Sequence, residues 1–192
     1  MARNILVING HPDPREKRFC AALAAAYVRG AHAQGHLIRR IDVGEISFPL
    51  IRSVEDFTAP VAAPAILDAQ QAFRWAHHVV LIYPLWLGGP PALLKAFLEQ
   101  VFRYGFALAA PDGPPRGLLG GRSVRVVVTM GMPAPVFRWV FGSYGLKSLE
   151  RGLLWLSGFR PIRHLILGAV EGDAERRKGW LQEMERLGAD AL

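Results

Sequence analysis

The sequence predicts an α/β fold, a three-layer doubly wound sandwich around a five-stranded parallel sheet of order 2-1-3-4-5. Five short apolar or β-branched runs alternate with segments of helical periodicity, which is typical of βαβ units with right-handed crossovers. Three of the runs, residues 5–8, 79–82 and 126–128, are apolar at every position. Strands that helices cover on both faces have this composition, and five of them favour the stated order.

Strands and helices are predicted in alternation along the chain. The predicted strands are residues 4–9, 37–41, 78–83, 123–130 and 162–167. The first helix contains Phe19, Leu23 and Tyr27 at four-residue spacing and ends at about Gln34, before Gly35. Further helices are predicted over residues 65–76 and 147–156. Another begins at Pro90-Pro91 and has Leu94, Leu98, Val101 and Phe102 on one face. The last covers residues 173–187, with Asp173 as N-cap and with Trp180, Met184 and Leu187 as the buried stripe.

The composition indicates one domain over residues 1–192 with a self-sufficient apolar core, since a chain of this length buries about 70% of its unfolded surface. The single cysteine, Cys20, excludes an internal disulfide and fits a reducing cytoplasm. The first strand starts too early for a signal peptide, and the longest apolar stretch, residues 79–87, is far short of the roughly 20 residues of a membrane helix. We therefore expect a cytoplasmic protein that does not span a membrane.

The net charge is +7, and the excess of basic residues lies in the second half of the chain. Between residues 116 and 163 the only acidic residue is Glu150, against Arg116, Arg122, Arg125, Arg138, Lys147, Arg151, Arg160 and Arg163. A phosphorylated cofactor, nucleic acid, an acidic membrane surface or a partner protein would be attracted there, and an ordinary solvated surface explains the pattern equally well. Nucleic acid is disfavoured, because no zinc finger or RNP-type aromatic motif accompanies the charges.

Three loops should meet where the carboxyl ends of strands one, three and four form the ligand crevice of such a sheet. In the first, a helix N-terminus with Arg15, Lys17 and Arg18 favours a phosphate, although a solvated turn would look the same. In the second, Trp86 before Gly88-Gly89 suits a flat heteroaromatic ligand, unless the tryptophan is a packing residue. The third is residues 129–133. Two further loops, residues 49–64 and 109–121, are long enough to carry function or an interface.

Other chemistries fit the sequence less well. The dinucleotide fingerprint and the P-loop are absent, and no histidine has metal-ligand spacing, so no metal is expected. The segment Gly142-Ser143-Tyr144-Gly145 lacks the spacing of a serine hydrolase. Cys20 begins an apolar helix, where a thiol is usually a small packing group, although the helix N-terminus lowers the pKa of some such thiols.

Several segments together resemble the flavodoxin-like NAD(P)H:quinone oxidoreductase family, which includes diaphorase-type quinone reductases and the ancillary flavoproteins of potassium efflux systems. They are Gly10-His11-Pro12, Phe19-Cys20-Ala21-Ala22-Leu23, Tyr83-Pro84-Leu85-Trp86, Pro91-Ala92-Leu93-Leu94-Lys95, residues 101–107 and Thr129-Met130-Gly131. The resemblance implies a bound flavin, with its phosphate near His11, Arg18, Phe19 and Cys20. It also implies that the flavin ring lies on Pro84, Leu85, Trp86 and Leu87. Backbone amides of these residues and of Thr129, Met130 and Gly131 would then donate hydrogen bonds to the ring.

The resemblance also implies a homodimer and a ping-pong reaction, in which NAD(P)H delivers hydride to flavin N5 and leaves before a quinone takes two electrons from the same face. Lys17-Arg18-Phe19-Cys20 departs from the Ser or Thr and Phe-Asn of many members, so FMN and FAD both remain open. The usual histidine after strand four is absent, and Tyr144 is the residue that could donate a hydrogen bond to a developing oxyanion. The basic charge slightly favours NADPH over NADH.

Two alternatives remain. The first is a flavin-binding regulatory subunit of a transporter or other partner with little turnover of its own, as in the ancillary members. The second is a one-electron carrier of the flavodoxin type, against which the net charge of +7 argues because such carriers are typically acidic.

Overall fold

The centre of the fold is a parallel sheet of five strands, seen here in a computed structural model that describes residues 2–15, 17–61, 63–109, 114 and 116–192. The strands are β1 (Asn4–Asn9), β2 (Leu37–Asp42), β3 (His78–Pro84), β4 (Ser123–Thr129) and β5 (Ile162–Leu167). Their order is β2-β1-β3-β4-β5 and every pairing is parallel. The predicted fold class and strand order are confirmed.

Six α-helices are present in the described residues: α1 (Phe19–Ala33), α2 (Val54–Thr58), α3 (Pro64–Trp75), α4 (Ala92–Val101), α5 (Tyr144–Ser148) and α6 (Ala174–Ala189). A 3₁₀ turn covers Val43–Glu45, and two π-helical segments cover Val136–Val140 and Leu149–Trp155. None of the described helices is long and apolar enough to cross a bilayer.

Each face of the sheet has its own apolar core, because successive strand residues point to opposite sides. On β1, Ile5 and Val7 pack with α1 and α6, whereas Leu6 and Ile8 pack with α3, α4 and the segments after β4. All four side chains are essentially inaccessible. In the central strands β1, β3 and β4, polar side chains lie at or near the strand ends, apart from Arg125 on β4.

The structure corrects several predicted boundaries. The fourth predicted helix begins at Tyr144, three residues early, and continues from Ser148 into the π-helical segment Leu149–Trp155. The helix after Pro90-Pro91 begins at Ala92, with Pro91 as its N-cap. β2 and β3 extend one residue further than predicted, and β4 ends one residue earlier, at Thr129.

The long loop over residues 49–64 contains the helix α2, which the prediction missed. Ser53 caps it by accepting a hydrogen bond from the Asp56 N–H at 3.1 Å, and Glu55 and Asp56 place negative charge in its first turn. Arg103 then holds the end of α2 by donating to the Ala59 carbonyl at 2.8 Å. In the second long loop, residues 110–113 and 115 lie outside the described residues, and its described ends form an antiparallel bridge between Leu108 and Gly117.

Two glycines bring the backbones of α1 and α6 into direct contact. A Cβ atom on Gly30 would lie 1.8 Å from the carbonyl oxygen of Glu185, and one on Gly188 would lie 2.0 Å from the carbonyl oxygen of Tyr27. Since both obstacles are helix backbone, a side chain at either position would push the helices apart. The layer over β1, β3 and β4 therefore depends on the absence of side chains at these two positions.

We expect Gly188→Ala to lower the free energy of unfolding by about 1–3 kcal/mol, because the cost of overpacking exceeds the gain in helix propensity. Gly179→Ala is the matched control, since it lies in the same helix with nothing within 4 Å of its Cβ position. It should raise the free energy of unfolding by about 0.5–1 kcal/mol. Urea denaturation measures both variants. Equal effects of the two substitutions would contradict the backbone contact.

Candidate active site

The loops after β1, β3 and β4 meet at the carboxyl edge of the sheet, as predicted. The rings of His11 and Trp86 lie edge to face with centroids 6.0 Å apart. The Leu85 N–H donates to the Thr129 carbonyl at 2.7 Å, and the Cys20 Sγ lies 3.4 Å from the Thr129 Oγ1. One continuous surface thus contains residues from all three loops.

His11 is held as a neutral ring with a defined hydrogen-bonding pattern. Its backbone N–H donates to the side-chain oxygen of Asn9 at 3.2 Å, and its Nδ1 accepts from the Asp13 N–H at 3.0 Å. Burial, followed by the charge of Arg18, lowers the pKa of His11 below its usual value. Because Nδ1 is an acceptor, the proton of the neutral ring is on Nε2, which remains a hydrogen-bond donor.

Asp13 neutralises much of the positive charge that the sequence suggested for the first loop. The Nε of Arg15 lies 2.9 Å from its carboxylate, and the Nε of Arg18 lies 2.7 Å from it. These guanidinium groups hold the pKa of Asp13 well below its usual range. Arg15 and Arg18, which the sequence analysis names as cations that favour a phosphate, are both bound by the same carboxylate, and their part in phosphate binding stays a prediction.

The first turn of α1 offers backbone donors at this edge. Arg18 is the N-cap in an extended conformation, and no side chain caps the helix. The N–H groups of Phe19, Cys20 and Ala21 thus have no intrahelical acceptor, and the helix dipole favours an anion beside them. The Phe19 ring packs against Trp180, with centroids 6.1 Å apart.

The Cys20 side chain faces the interior and not the crevice. It is 1% exposed, and burial raises the pKa of its thiol to about 11. Of the two possibilities for Cys20, the packing role agrees with the structure, and only its backbone N–H is available at the helix terminus.

The residues after β3 form a two-residue turn that presents Trp86 and Leu87 to solvent. Leu87 has φ 47° and Gly88 has φ 85°, and Trp86 and Gly89 exchange both backbone hydrogen bonds, at 2.9 and 3.1 Å. This is the geometry of a type I′ turn, in which glycine relieves strain at the second position. Trp86 is half exposed and Leu87 is fully exposed, so an apolar and aromatic surface stands at the strand end.

Not every amide that the resemblance implied is available. The Leu85 N–H binds the Thr129 carbonyl, and the Met130 N–H binds the Leu167 carbonyl at 2.9 Å. Met130 and Thr129 are also buried, and Pro84 has no N–H. Within the described residues, the amides of Leu87, Gly88 and Gly131 have no acceptor, so they remain available as donors in these loops.

Tyr144 reaches the site through a close backbone contact that the sequence analysis missed. A Cβ atom on Gly145 would lie 2.0 Å from the carbonyl oxygen of Gly88, so the start of α5 lies directly on the Trp86 turn. Tyr144 is 75% exposed, and the Lys147 ammonium lies 5.6 Å from its ring centroid. The phenol is therefore open to a ligand beside the turn.

An exposed apolar patch, formed by Trp139, Val140, Phe141 and Tyr144, was also missed. These side chains are between 53% and 81% exposed. The available signal was the run of residues 136–141, which holds more large apolar side chains than one buried helix face accommodates. The same described regions contain no group of three or more His, Cys, Asp or Glu side chains able to hold a metal ion.

Comparison with known proteins identifies the family. Residues 3–189 match the family described as having a flavodoxin-like fold. The chain belongs to this family. The fold is similar to that of a solved NAD(P)H:quinone oxidoreductase from Methanothermobacter marburgensis, with a TM-score of 0.82, 21% identity and full coverage of both chains. This similarity supports the fold alone.

Relatives of this flavodoxin-like chain include redox enzymes. An uncharacterised NAD(P)H oxidoreductase of Haemophilus influenzae is 30% identical, over 93% of this chain and 91% of its own length. An FMN-dependent NADH:quinone oxidoreductase of Burkholderia lata is 28% identical, over 76% of this chain and 73% of its own. These relatives confirm the predicted resemblance and the expectation of an oxidoreductase.

The residues at the carboxyl edge fit a flavin. An uncapped helix N-terminus with a neutral His11 beside it suits a phosphate, and the exposed Trp86 turn with free amides suits a planar heterocycle.

Cys20 is expected to be unreactive in the folded protein. With the pKa of its thiol raised to about 11, its thiolate fraction near pH 8 is about 100-fold or more below that of a free cysteine of pKa about 8.5, and it grows only as the pH approaches 11. Since the chain has one cysteine, thiol titration with a chromogenic disulfide reports on Cys20 alone. The control is the same protein in urea, where ordinary reactivity should return. Rapid reaction of the native protein at pH 8 would overturn the packing role.

Proposed function

We propose that this chain is a flavin-dependent NAD(P)H:quinone oxidoreductase and that residues 1–192 form one flavin-binding domain. The observation that carries the proposal is the junction of an uncapped helix N-terminus with an exposed tryptophan turn at the carboxyl edge of the sheet. A bound flavin supplies the ability to take two electrons from NAD(P)H and to pass them to a quinone. The residues of the chain bind it, orient it and leave one face accessible.

In the proposed complex the first turn of α1 holds the flavin phosphate. The backbone N–H groups of Phe19 and Cys20 donate to phosphate oxygens, and the Nε2–H of His11 adds a third donor. Arg18 supports the site through its pairing with Asp13. We propose FMN over FAD, because the Burkholderia lata relative is named as FMN-dependent.

The turn after β3 holds the ring in this proposal. Pro84, Leu85, Trp86 and Leu87 form the surface under it, and the amides of Leu87, Gly88 and Gly131 are the donors at its polar edge. With one face of the ring against this surface, the nicotinamide and the quinone must use the other face in turn. A ping-pong order follows from that shared space.

Tyr144 is proposed as the hydrogen-bond donor to the quinone oxygen where negative charge develops. Its support is the contact of α5 with the Trp86 turn through Gly145 and Gly88, together with the exposure of the phenol. Lys147, which lies beside the Tyr144 ring, and the basic net charge slightly favour NADPH over NADH, because the additional phosphate adds negative charge.

A second copy of the chain is proposed to cover the exposed patch Trp139, Val140, Phe141 and Tyr144. Contiguous apolar surface of this kind marks an interaction site in a protein that folds in water. A homodimer that buries the patch would also enclose the open side of the Trp86 turn. We propose the cytoplasm as the compartment, in keeping with the single unpaired Cys20, and cell fractionation tests it.

The decisive experiment adds FMN or FAD to the purified protein, then NADPH or NADH without oxygen, and finally a quinone. We expect the bound flavin to bleach and to recover its colour with the quinone, in a particle of twice the chain mass by sedimentation. Trp86→Ala should weaken flavin binding about fivefold, since aromatic stacking contributes roughly 1 kcal/mol beyond area. Trp155→Ala is the control, because Trp155 is also half exposed but packs with Arg160 before β5. A bound flavin that stays oxidised would favour the regulatory subunit, and no flavin binding would reject the proposal.

Tyr144→Phe should lower kcat/KM for the quinone about tenfold, the effect of losing one hydrogen bond to developing charge. Flavin affinity and the rate of reduction by NADPH should be unchanged, because the ring and its packing remain. Stopped-flow measurement of each half-reaction separates the two steps. Unchanged reoxidation by the quinone would remove Tyr144 from the proposed role.

A further inference from the structure

A second group of charged residues lies at the amino edge of the sheet, where the strands begin. A cavity of about 540 Å³ is lined there by Arg3, His77, His78, Ser123, Arg160 and Arg163, with Val124, Pro161 and Leu192 among the apolar contributors. The strands are six or seven residues long, so this edge is roughly 20 Å from the candidate active site. The two sites share no residue.

The register of the sheet brings the cations together. Arg125 on β4 is the direct neighbour of Arg163 on β5. On β3, His78 lies beside Ile5, and two residues later Val80 lies beside Arg125. Because side chains alternate, His78, Arg125 and Arg163 all lie on the face that α1 and α6 cover. Sequence spacing alone does not reveal this cluster, since its members come from different strands.

The nearest carboxylates of α6 do not neutralise the cluster. Glu183 and Asp190 both pair with Arg186, at 2.7 and 2.9 Å. Across the described residues, Arg3, Arg125, Arg160 and Arg163 have no carboxylate at ion-pair distance. The end of α6 contributes about half a negative charge, far less than four guanidinium groups carry.

Backbone carbonyls satisfy only part of the cluster. Arg3 donates to the Ala191 carbonyl at 3.3 Å, and Arg160 donates to the Phe159 carbonyl at 2.8 Å. For Arg125 and Arg163, no hydrogen-bond acceptor is found in the part of the chain that the structure describes. Arg125 is only 8% exposed, and its Nε is buried without a partner.

His78 adds a buried polar atom to the wall of the cavity. It is 3% exposed, its Nδ1 lies 2.7 Å from the Ser123 Oγ, and its Nε2 has no partner among the described residues. Burial, together with Arg125 and Arg3, lowers the pKa of His78 to about 3, so the ring is neutral. In the tautomer in which the Ser123 hydroxyl donates to Nδ1, the ring proton is on Nε2 and is available to an acceptor.

We propose that this cavity binds a small phosphorylated anion. Guanidinium groups match the geometry of phosphoryl oxygens, and here Arg3, Arg160 and Arg163 line the cavity while the Nε2–H of His78 supplies a neutral donor. The volume is in the range of small-ligand pockets, and Val124 and Pro161 provide apolar contacts for an organic portion of the ligand.

The test is calorimetric titration, with inorganic pyrophosphate and with AMP, of protein that holds one equivalent of FMN and from which excess FMN has been removed. We expect one binding site per chain. Arg163→Gln should weaken binding about tenfold, the effect of losing a charge-assisted hydrogen bond. Arg151→Gln is the matched control, because it removes the same charge at an exposed position that does not line the cavity. Tighter binding of AMP would identify a nucleotide-like ligand, and tighter binding of pyrophosphate an inorganic one.

An NMR measurement on the unmodified protein tests binding without depending on whether the variants fold. The ring signals of His78 in the unmodified protein should shift on addition of pyrophosphate and not on addition of chloride at equal ionic strength. No heat and no shift at millimolar ligand would overturn the proposal. So would an equal loss of affinity in Arg151→Gln and Arg163→Gln, which would indicate diffuse attraction to a basic surface.

Discussion

Burial of the parallel sheet on both faces is the constraint on which the rest of the structure depends. The central strands are apolar over most of their length, since α1 and α6 lie on one side and α3 and α4 on the other, and Arg125 on β4 is a buried exception near the amino edge. Groups that carry charge or donate hydrogen bonds therefore lie mostly where strands begin or end. The carboxyl edge has the uncapped helix and the tryptophan turn, and the amino edge has the arginine cluster.

Close contacts between helix and loop backbones position the elements of the candidate site relative to the buried sheet. Gly30 and Gly188 allow α1 to lie against α6, which fixes the start of α1 over the carboxyl edge. Gly145 has the same role in a smaller contact, because it lets the start of α5, which begins with Tyr144, lie on the Gly88 carbonyl of the Trp86 turn. The positions of the α1 N-terminus and of the Tyr144 phenol thus depend on glycines that allow close backbone contacts.

The sequence predicted the architecture well because hydrophobic periodicity records burial. Strand ends were within one residue of those observed, and the Asp173 cap of α6 is confirmed by its hydrogen bond from the Glu175 N–H at 2.9 Å. The helix α2 was missed because it is too short for a periodic pattern and depends on the local Ser53 cap. The π-helical segment Val136–Val140 was missed because its apolar spacing departs from 3.6 residues per turn, whereas Leu149–Trp155 lies within the helix predicted over residues 147–156.

The candidate site was predicted in outline but not in its electrostatics. The three loops could be named because the switch in strand order is a property of the topology. Which amides are free was not predictable, since the carbonyls that bind the Leu85 and Met130 N–H groups belong to neighbouring strands. The pairing of Arg15 and Arg18 with Asp13 depends equally on side-chain directions that a sequence does not give.

The basic half of the chain shows why net charge alone identifies no partner. Arg122 has a structural role, because its guanidinium group donates hydrogen bonds to the carbonyls of Phe73 and Arg74. Arg125, Arg160 and Arg163 lie at the amino edge, far from the loops that resemble a flavin site, whereas Arg15 and Arg18 of the first loop share one carboxylate. The charge of +7 is thus a sum over separate environments. An anion selects among them by unpaired donors and fixed geometry, and the number of basic residues nearby does not decide the outcome.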